Sequence, residues 1–170
     1  LARVSWPARD RPPPRGTVLI VHGLGEHCER YVRLAADLTA AGWLVHSYDQ
    51  RGHGASEGAR GDVATPTSLL DDLALMLDML HEERVPRPLV LSSPALYPGL
   101  TLLQRLRLTL GARLLPDRAV SNGLSPQWIS RDPQVVRRYI DDTRVHDRIT
   151  PLLARFIVDA GRQVITSASQ

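Results

Sequence analysis

The stretch Thr17-Val-Leu-Ile-Val-His-Gly-Leu-Gly-Glu-His27 constrains the fold of this chain more than any other. Its opening apolar run is rich in β-branched residues and never alternates with polar ones, the pattern of a strand covered on both faces, and such strands belong to parallel sheets flanked by helices. The run breaks at His22-Gly23-Leu24-Gly25, just before a helical pattern, so the chain must turn tightly as it leaves the sheet. Glycines there let backbone N–H groups face one point, as they do where acyl-transfer sites hold a developing oxyanion. His22, Gly23, Leu24 and Gly25 make up this loop, and His22, Gly23 and Gly25 are its candidate substrate-binding residues.

The flanking sequence predicts a βαβ unit around that loop. Val4-Ser-Trp6 reads as an edge strand, followed by an extended linker containing Pro12-Pro-Pro14. Residues Arg30 to Ala41 predict a helix with Tyr31, Leu34, Ala35, Leu38 and Ala41 on its apolar face and Gly42 just past its end. Trp43 to Tyr48 then reads as a second strand, joined to the first by a right-handed crossover. Thr65 as N-cap and Pro66 at the first helical position predict another helix, with Leu69, Leu70, Leu73, Met76, Leu77 and Leu80 as its core face and Pro86 and Pro88 marking its end. A short strand at Leu89 to Ser92 follows, stopped by Pro94. Beyond Pro98 the pattern turns helical, with Leu100, Leu103, Leu106, Leu110 and Leu114 on one side of a first helix and Arg107 intruding on that face. Further helices are expected around Pro133 to Asp141 and Ile149 to Val164, with no additional strand.

Composition excludes several function classes. The chain has 170 residues and 43% hydrophobic content, enough for one domain with a real core. No apolar run approaches the ~18 residues of a membrane span, and no signal-peptide pattern opens the sequence, which predicts a cytoplasmic protein. The charge of +3 comes from arginine alone; these arginines are dispersed among 18 acids, so no nucleic-acid stripe forms. Cys28 with His22 and His27 matches no zinc spacing, and neither a metal nor a cofactor is expected.

The pieces His22-Gly-Leu-Gly-Glu-His27, Arg30-Tyr31, Asp49-Gln-Arg-Gly-His-Gly-Ala-Ser-Glu-Gly58 and Leu91-Ser-Ser-Pro94, in this order, resemble the monoacylglycerol lipase and lysophospholipase group of α/β-hydrolases. The resemblance implies a partial α/β-hydrolase core over 1–94, a helical cap over 95–164 that covers an acyl-chain tunnel, and a tail at 165–170. It also implies that the Leu24 amide is one half of the oxyanion hole and that a small-molecule lipid or carboxylic ester is the substrate. With Arg107 on its apolar side, the leucine face of the Leu100–Leu115 helix is expected to pack onto the rest of the domain, peripheral membrane contact through the cap being the alternative that the resemblance offers.

Departures from the family pattern matter as much. Family members carry a strand, a G-x-S-x-G nucleophile elbow and a helix before the Ser-Ser-Pro strand, whereas here Pro86-Arg-Pro88 runs straight into Leu89. Some two dozen residues are thus expected to be missing between Arg87 and Leu91. The sequence given also stops at Gln170, before the strands that would bring the acid and the histidine, so no catalytic residue is assigned. Gly54-Ala-Ser-Glu-Gly58 fits G-x-S-x-G literally, but Ser56 stands well past the strand ending at Tyr48 and opens no helix, so a turn role is expected. Ser92 and Ser93 precede a proline that lacks the N–H an elbow needs. His22 and His53 are expected to fix loops, Asp49 to bond amides in its own turn, and His146 with Asp147 to form a solvated or hydrogen-bonded pair. The expected outcome is an ester-hydrolase relative without turnover; a non-catalytic acyl-chain-binding module and a non-functional gene fragment are the alternatives.

Overall fold

A computed structural model describes residues 1–8, 13–81, 89–91 and 99–167. Four strands form the main sheet: β1 (Arg3–Trp6), β2 (Thr17–Val21), β3 (Leu44–Tyr48) and β4 (Leu89–Leu91), in the order β1-β3-β2-β4. β2 runs parallel to β3 with Leu19 opposite His46 and parallel to β4 with Ile20 opposite Val90; β1 closes one side antiparallel to β3. This is a partial α/β-hydrolase fold with a parallel centre. β4 therefore lies directly beside β2.

All residues of β2 are buried because helices cover both faces of the sheet. Leu19, Val21 and Tyr48 meet Met76 and Leu80 of α2 (Ser68–His81) on one face. Val18, Ile20 and Val45 meet Ala35 of α1 (Val32–Ala40) on the other, with Trp6, Tyr31, Leu38 and Trp43 around them. Each fully buried valine, leucine, isoleucine or methionine among them contributes about 1.5–3 kcal/mol by leaving water. Gly42 follows α1 at a φ of 90°, where a left-handed residue lets the chain turn into β3.

Several local expectations are corrected. Leu34 is exposed, and the inner stripe of α1 runs through Ala35, Leu38 and Thr39 instead. α2 starts at Ser68, two residues after Pro66, because the Ser68 N–H bonds back to Thr65 O and its hydroxyl receives the Thr65 N–H. Leu70 is exposed, and the buried stripe is Ser68, Asp72, Met76 and Leu80. Pro86, Pro88, Ser92, Ser93 and Pro94, with the fused Arg87–Leu89 junction, lie outside the described residues.

Residues after 99 form α3 (Leu102–Leu114), α4 (Pro133–Asp141) and α5 (Pro151–Ser167), as the periodicity predicts, plus a two-stranded ladder that it does not. β5 (Val120–Ser121) pairs antiparallel with β6 (Arg148–Ile149), a strand pair too short to show any alternation. α3 opens with a reciprocal cap between Thr101 and Gln104. It packs on α5 through a close approach of Gly111 to Pro151, not through the leucine stripe. Leu103, Leu106, Leu110 and Leu114 are all exposed. At 100° per residue they lie on the side of the helix opposite half-buried Leu108 and Ala112, with Gly111 on the flank, so the stripe faces outward.

Candidate active site

The His-Gly-Leu-Gly loop closes as a β-turn in which the Glu26 N–H donates to Gly23 O at 3.3 Å and Gly25 takes a φ of 77°. His22 Nε2 accepts the Gln50 N–H at 3.0 Å, so its proton sits on Nδ1, which donates to Gly23 O at 2.8 Å. The peptide joining Gly23 to Leu24 is thereby held at its oxygen. A trans peptide points its N–H away from its C=O, and no described residue accepts the Leu24 N–H. Burial lowers the His22 pKa, partly offset by its bond to Gly23, so the ring is neutral.

Glycine is required at Gly25 by contact as well as by conformation, since a Cβ there would lie 2.2 Å from His146 O. The His146 N–H returns a bond to Gly25 O at 3.0 Å, so the helical region docks directly on the turn. Gly61 does the same farther along: a Cβ would meet Arg148 O at 2.0 Å, and Thr150 N–H donates to Gly61 O at 2.9 Å.

The second glycine-histidine loop is built around Asp49. Its carboxylate accepts the N–H groups of Cys28 and Ala55, each at 2.7 Å, and a Cβ on Gly54 would fall 2.1 Å from Oδ2. Desolvation pushes the Asp49 pKa up, but the two amides outweigh it and hold the carboxyl below its ordinary value. Arg51 grips buried Asp72 of α2 with two bonds of 2.7 and 2.6 Å, which explains a carboxylate on the inner face of that helix. The expected amide-binding role of Asp49 is met, and it reaches beyond its own turn to Cys28.

Among the described residues, neither Ser56 nor the lone cysteine is poised for attack; Ser92 and Ser93 lie outside them. Ser56 is buried, donates its hydroxyl hydrogen to Asp49 O and accepts the Ala2 N–H at 2.8 Å, which ties the loop to β1. Cys28 is buried beside Asp49, and desolvation pushes its thiol up to about 12, far from thiolate. The rings of His22, His53 and His146 pack in a row as tilted pairs, with centroids 5.3 and 4.8 Å apart. His53 Nδ1 is 2.9 Å from Arg51 O, and His146 Nε2 is 3.0 Å from Gly52 O. His146 thus bonds the core loop, whereas the sequence had suggested a pair with Asp147. Desolvation lowers the pKa of both and brings His53 to about 3. Among the described residues no His, Cys, Asp and Glu cluster is placed to hold a metal.

Above the turn lies a cavity of about 740 Å³. Gly23, Leu24 and Glu26 line its floor; Leu108, Ile140, Ile157 and Val158 are among its apolar walls from α3, α4 and α5. His27, buried below, places Nε2 2.7 Å from Oδ2 of Asp142. Arg30 stacks over the Tyr139 ring at 4.6 Å, and Arg144 pairs with Glu29 at 2.7 Å. Sequence reasoning missed Glu26, which accepts from Arg30 Nε at 3.3 Å and Tyr31 Oη at 2.7 Å. The four- and five-residue spacing from Glu26 to Arg30 and Tyr31 was the available signal. Asp142 offered none, because its partner is 115 positions away.

The sequence pattern of the family described as serine aminopeptidase S33 matches residues 12–90 and 84–170. The chain belongs to this family. Within it the chain is monoacylglycerol lipase-like: it is 30% identical over 181 aligned positions to the monoacylglycerol lipase of Mycolicibacterium smegmatis, covering 89% of this chain and 64% of that protein. The crystal structure of monoacylglycerol lipase from Paleococcus ferrophilus superposes with a TM-score of 0.80 at 31% identity, over 95% of this chain and 70% of that one. A soluble variant of monoglyceride lipase from Saccharomyces cerevisiae, solved with a substrate analog, shares the fold with a TM-score of 0.81 at 18% identity, over 95% and 65% of the two chains. Thus this family member spans less than two thirds of the mycobacterial relative. The two family matches meet at 84–90, and the 181 aligned positions exceed the 170 residues present, so the relative carries residues that this chain lacks.

Proposed function

We propose that this chain recognises a lipid or other carboxylic ester under its helical region and does not hydrolyse it. In this reading residues 1–94 are a partial hydrolase core, 95–164 the cap, and 165–170 a tail. The carrying observation is the Leu24 amide: it lies on the floor of a mainly apolar cavity and donates to no described residue. A cavity of this size holds a small amphiphile. The Leu24 N–H then serves as half of an oxyanion hole that receives the ester carbonyl, with His22, Gly23 and Gly25 holding it in place.

The absence of turnover rests on the nucleophile. The sequence has one G-x-S-x-G, and its Ser56 is committed to Asp49 and Ala2. β4 sits beside β2 with the junction before it at the point where the two family matches meet. This supports loss of an elbow segment there. Without a nucleophile, an oxyanion donor and a binding site give only weak residual catalysis.

A peripheral membrane role is supported by α3, whose outward leucines are accompanied by Arg105, Arg107 and Arg113 and by no acidic residue. No described helix is long and apolar enough to cross a membrane.

The test is direct. A fluorescent fatty acyl probe should bind and be displaced by monoacylglycerol, while a fluorophosphonate probe should leave the protein unlabelled and an activated ester should be consumed at the buffer rate. Labelling of a serine, or absence of acyl binding, overturns the proposal.

A further inference from the structure

We propose that Glu26 is a positioning residue: by holding the Gly23–Glu26 turn it keeps the Leu24 N–H available to the cavity, so that the site prefers ligands carrying a carbonyl. The inference rests on the acyl-binding reading above. In a β-turn the bond runs from the last residue to the first, and the amide of the second residue takes no part in it. Here that second residue is Leu24. Its freedom is therefore a property of the turn, but its direction is not, because Gly23 and Gly25 on either side carry no Cβ to restrict rotation.

Glu26 removes that rotation from both ends of Gly23. Its backbone N–H donates to Gly23 O, and its side chain Oε2 accepts the Gly23 N–H, both at 3.3 Å. The carboxylate is itself held by two further donors. Tyr31 Oη donates to Oε2 at 2.7 Å, Arg30 Nε donates to Oε1 at 3.3 Å, and Arg30 in turn lies over Tyr139 of α4. Tyr139 and Glu26 both line the cavity. The turn is thus referenced to α1's entry on one side and to the helical cap on the other. Reorganising donors after a ligand arrives costs binding; donors fixed in advance avoid that cost.

A pair of ligands that differ only in the carbonyl reads this out: a monoacylglycerol and the alkylglycerol ether of equal chain length, each competing with a fluorescent acyl probe. The wild-type chain should favour the ester by about fivefold, the size expected for one net hydrogen bond. Glu26→Ala should bring the two affinities within about twofold by weakening the ester alone. Glu26→Gln, which keeps an acceptor for the Gly23 N–H, should retain most of the preference. In amide NMR spectra the Leu24 N–H should move on adding the ester and not the ether. Equal loss of ester and ether affinity in Glu26→Ala, or an unchanged preference, overturns the role of Glu26. Ether binding without any wild-type ester preference overturns it too while leaving the acyl-binding reading intact; failure of both ligands to bind wild type overturns both.

Discussion

His27 Nε2 lies 2.7 Å from Oδ2 of Asp142, joining the end of the glycine loop to the residue that ends α4. Burial pushes the Asp142 carboxyl up, but the His27 bond, the Arg144 amide and the Arg144 charge outweigh it and hold the pKa below its ordinary value. This pair is the polar clamp between the sheet layer and the helices above it. Asp142→Ala leaves a buried imidazole N–H without an acceptor and should cost about 1–3 kcal/mol in urea unfolding. Amide exchange should rise first in residues 139–147, and Asp142→Asn should restore most of the protection.

Acid should loosen the same interface. His22, His53 and His146 are held neutral by burial, so their folded pKa values lie below the ordinary value of 6.5, and the unfolded chain takes up the protons. Stability must therefore fall as pH drops below about 6.5, with His53 alone contributing up to about 1.4 kcal/mol per pH unit until its own pKa near 3 is approached. Urea titrations at pH 7.5, 6 and 5 check the slope; a flat profile contradicts the neutral histidine row. At the other extreme, the raised Cys28 pKa should remove stability as pH climbs from 9 towards 12.

Asp72 stands at 5% exposure on the inner face of α2. Replacing it with alanine leaves the Arg51 guanidinium, about a third of whose side chain reaches solvent, without its partner and should destabilise by about 1–3 kcal/mol. Leucine at position 72 together with Arg51→Leu should recover part of the loss, since a matched apolar pair needs no charge partner. Thermal unfolding of the single and double variants separates the two effects.

Gly61→Ala should be more damaging than a surface glycine substitution. The added methyl would overlap Arg148 O, and the φ of 70° is unfavourable for any L side chain. Gly123→Ala is the control, because its φ of 72° is equally strained and its Cβ meets nothing within 4 Å. The difference in unfolding free energy between the two variants therefore measures the docking contact itself.

The outward leucines of α3 carry a separate expectation. Leu103→Asp with Leu106→Asp should leave the unfolding midpoint nearly unchanged, because both side chains are more than half exposed. Co-sedimentation with anionic vesicles should fall sharply. Retained sedimentation removes the membrane role.

Local sequence determined what depends on near neighbours. The continuous apolar run of β2, the return at Gly42, the glycine turn after His22 and the three later helices all follow from periodicity, φ preference and short-range bonding, and the same reasoning recognised Ser56 as a turn residue. Tertiary structure alone decided which amphipathic face is covered. The leucines of α3 and the inner residues of α2 obey the same helical period, but only the second set has a sheet in front of it; α3 instead meets α5 through Gly111. It also decided that Asp142 reaches His27 and that Gly25 and Gly61 receive the backbone of 146–150. Partnerships separated by a hundred residues leave no trace in local pattern, because what selects them is the space the folded layers leave between them.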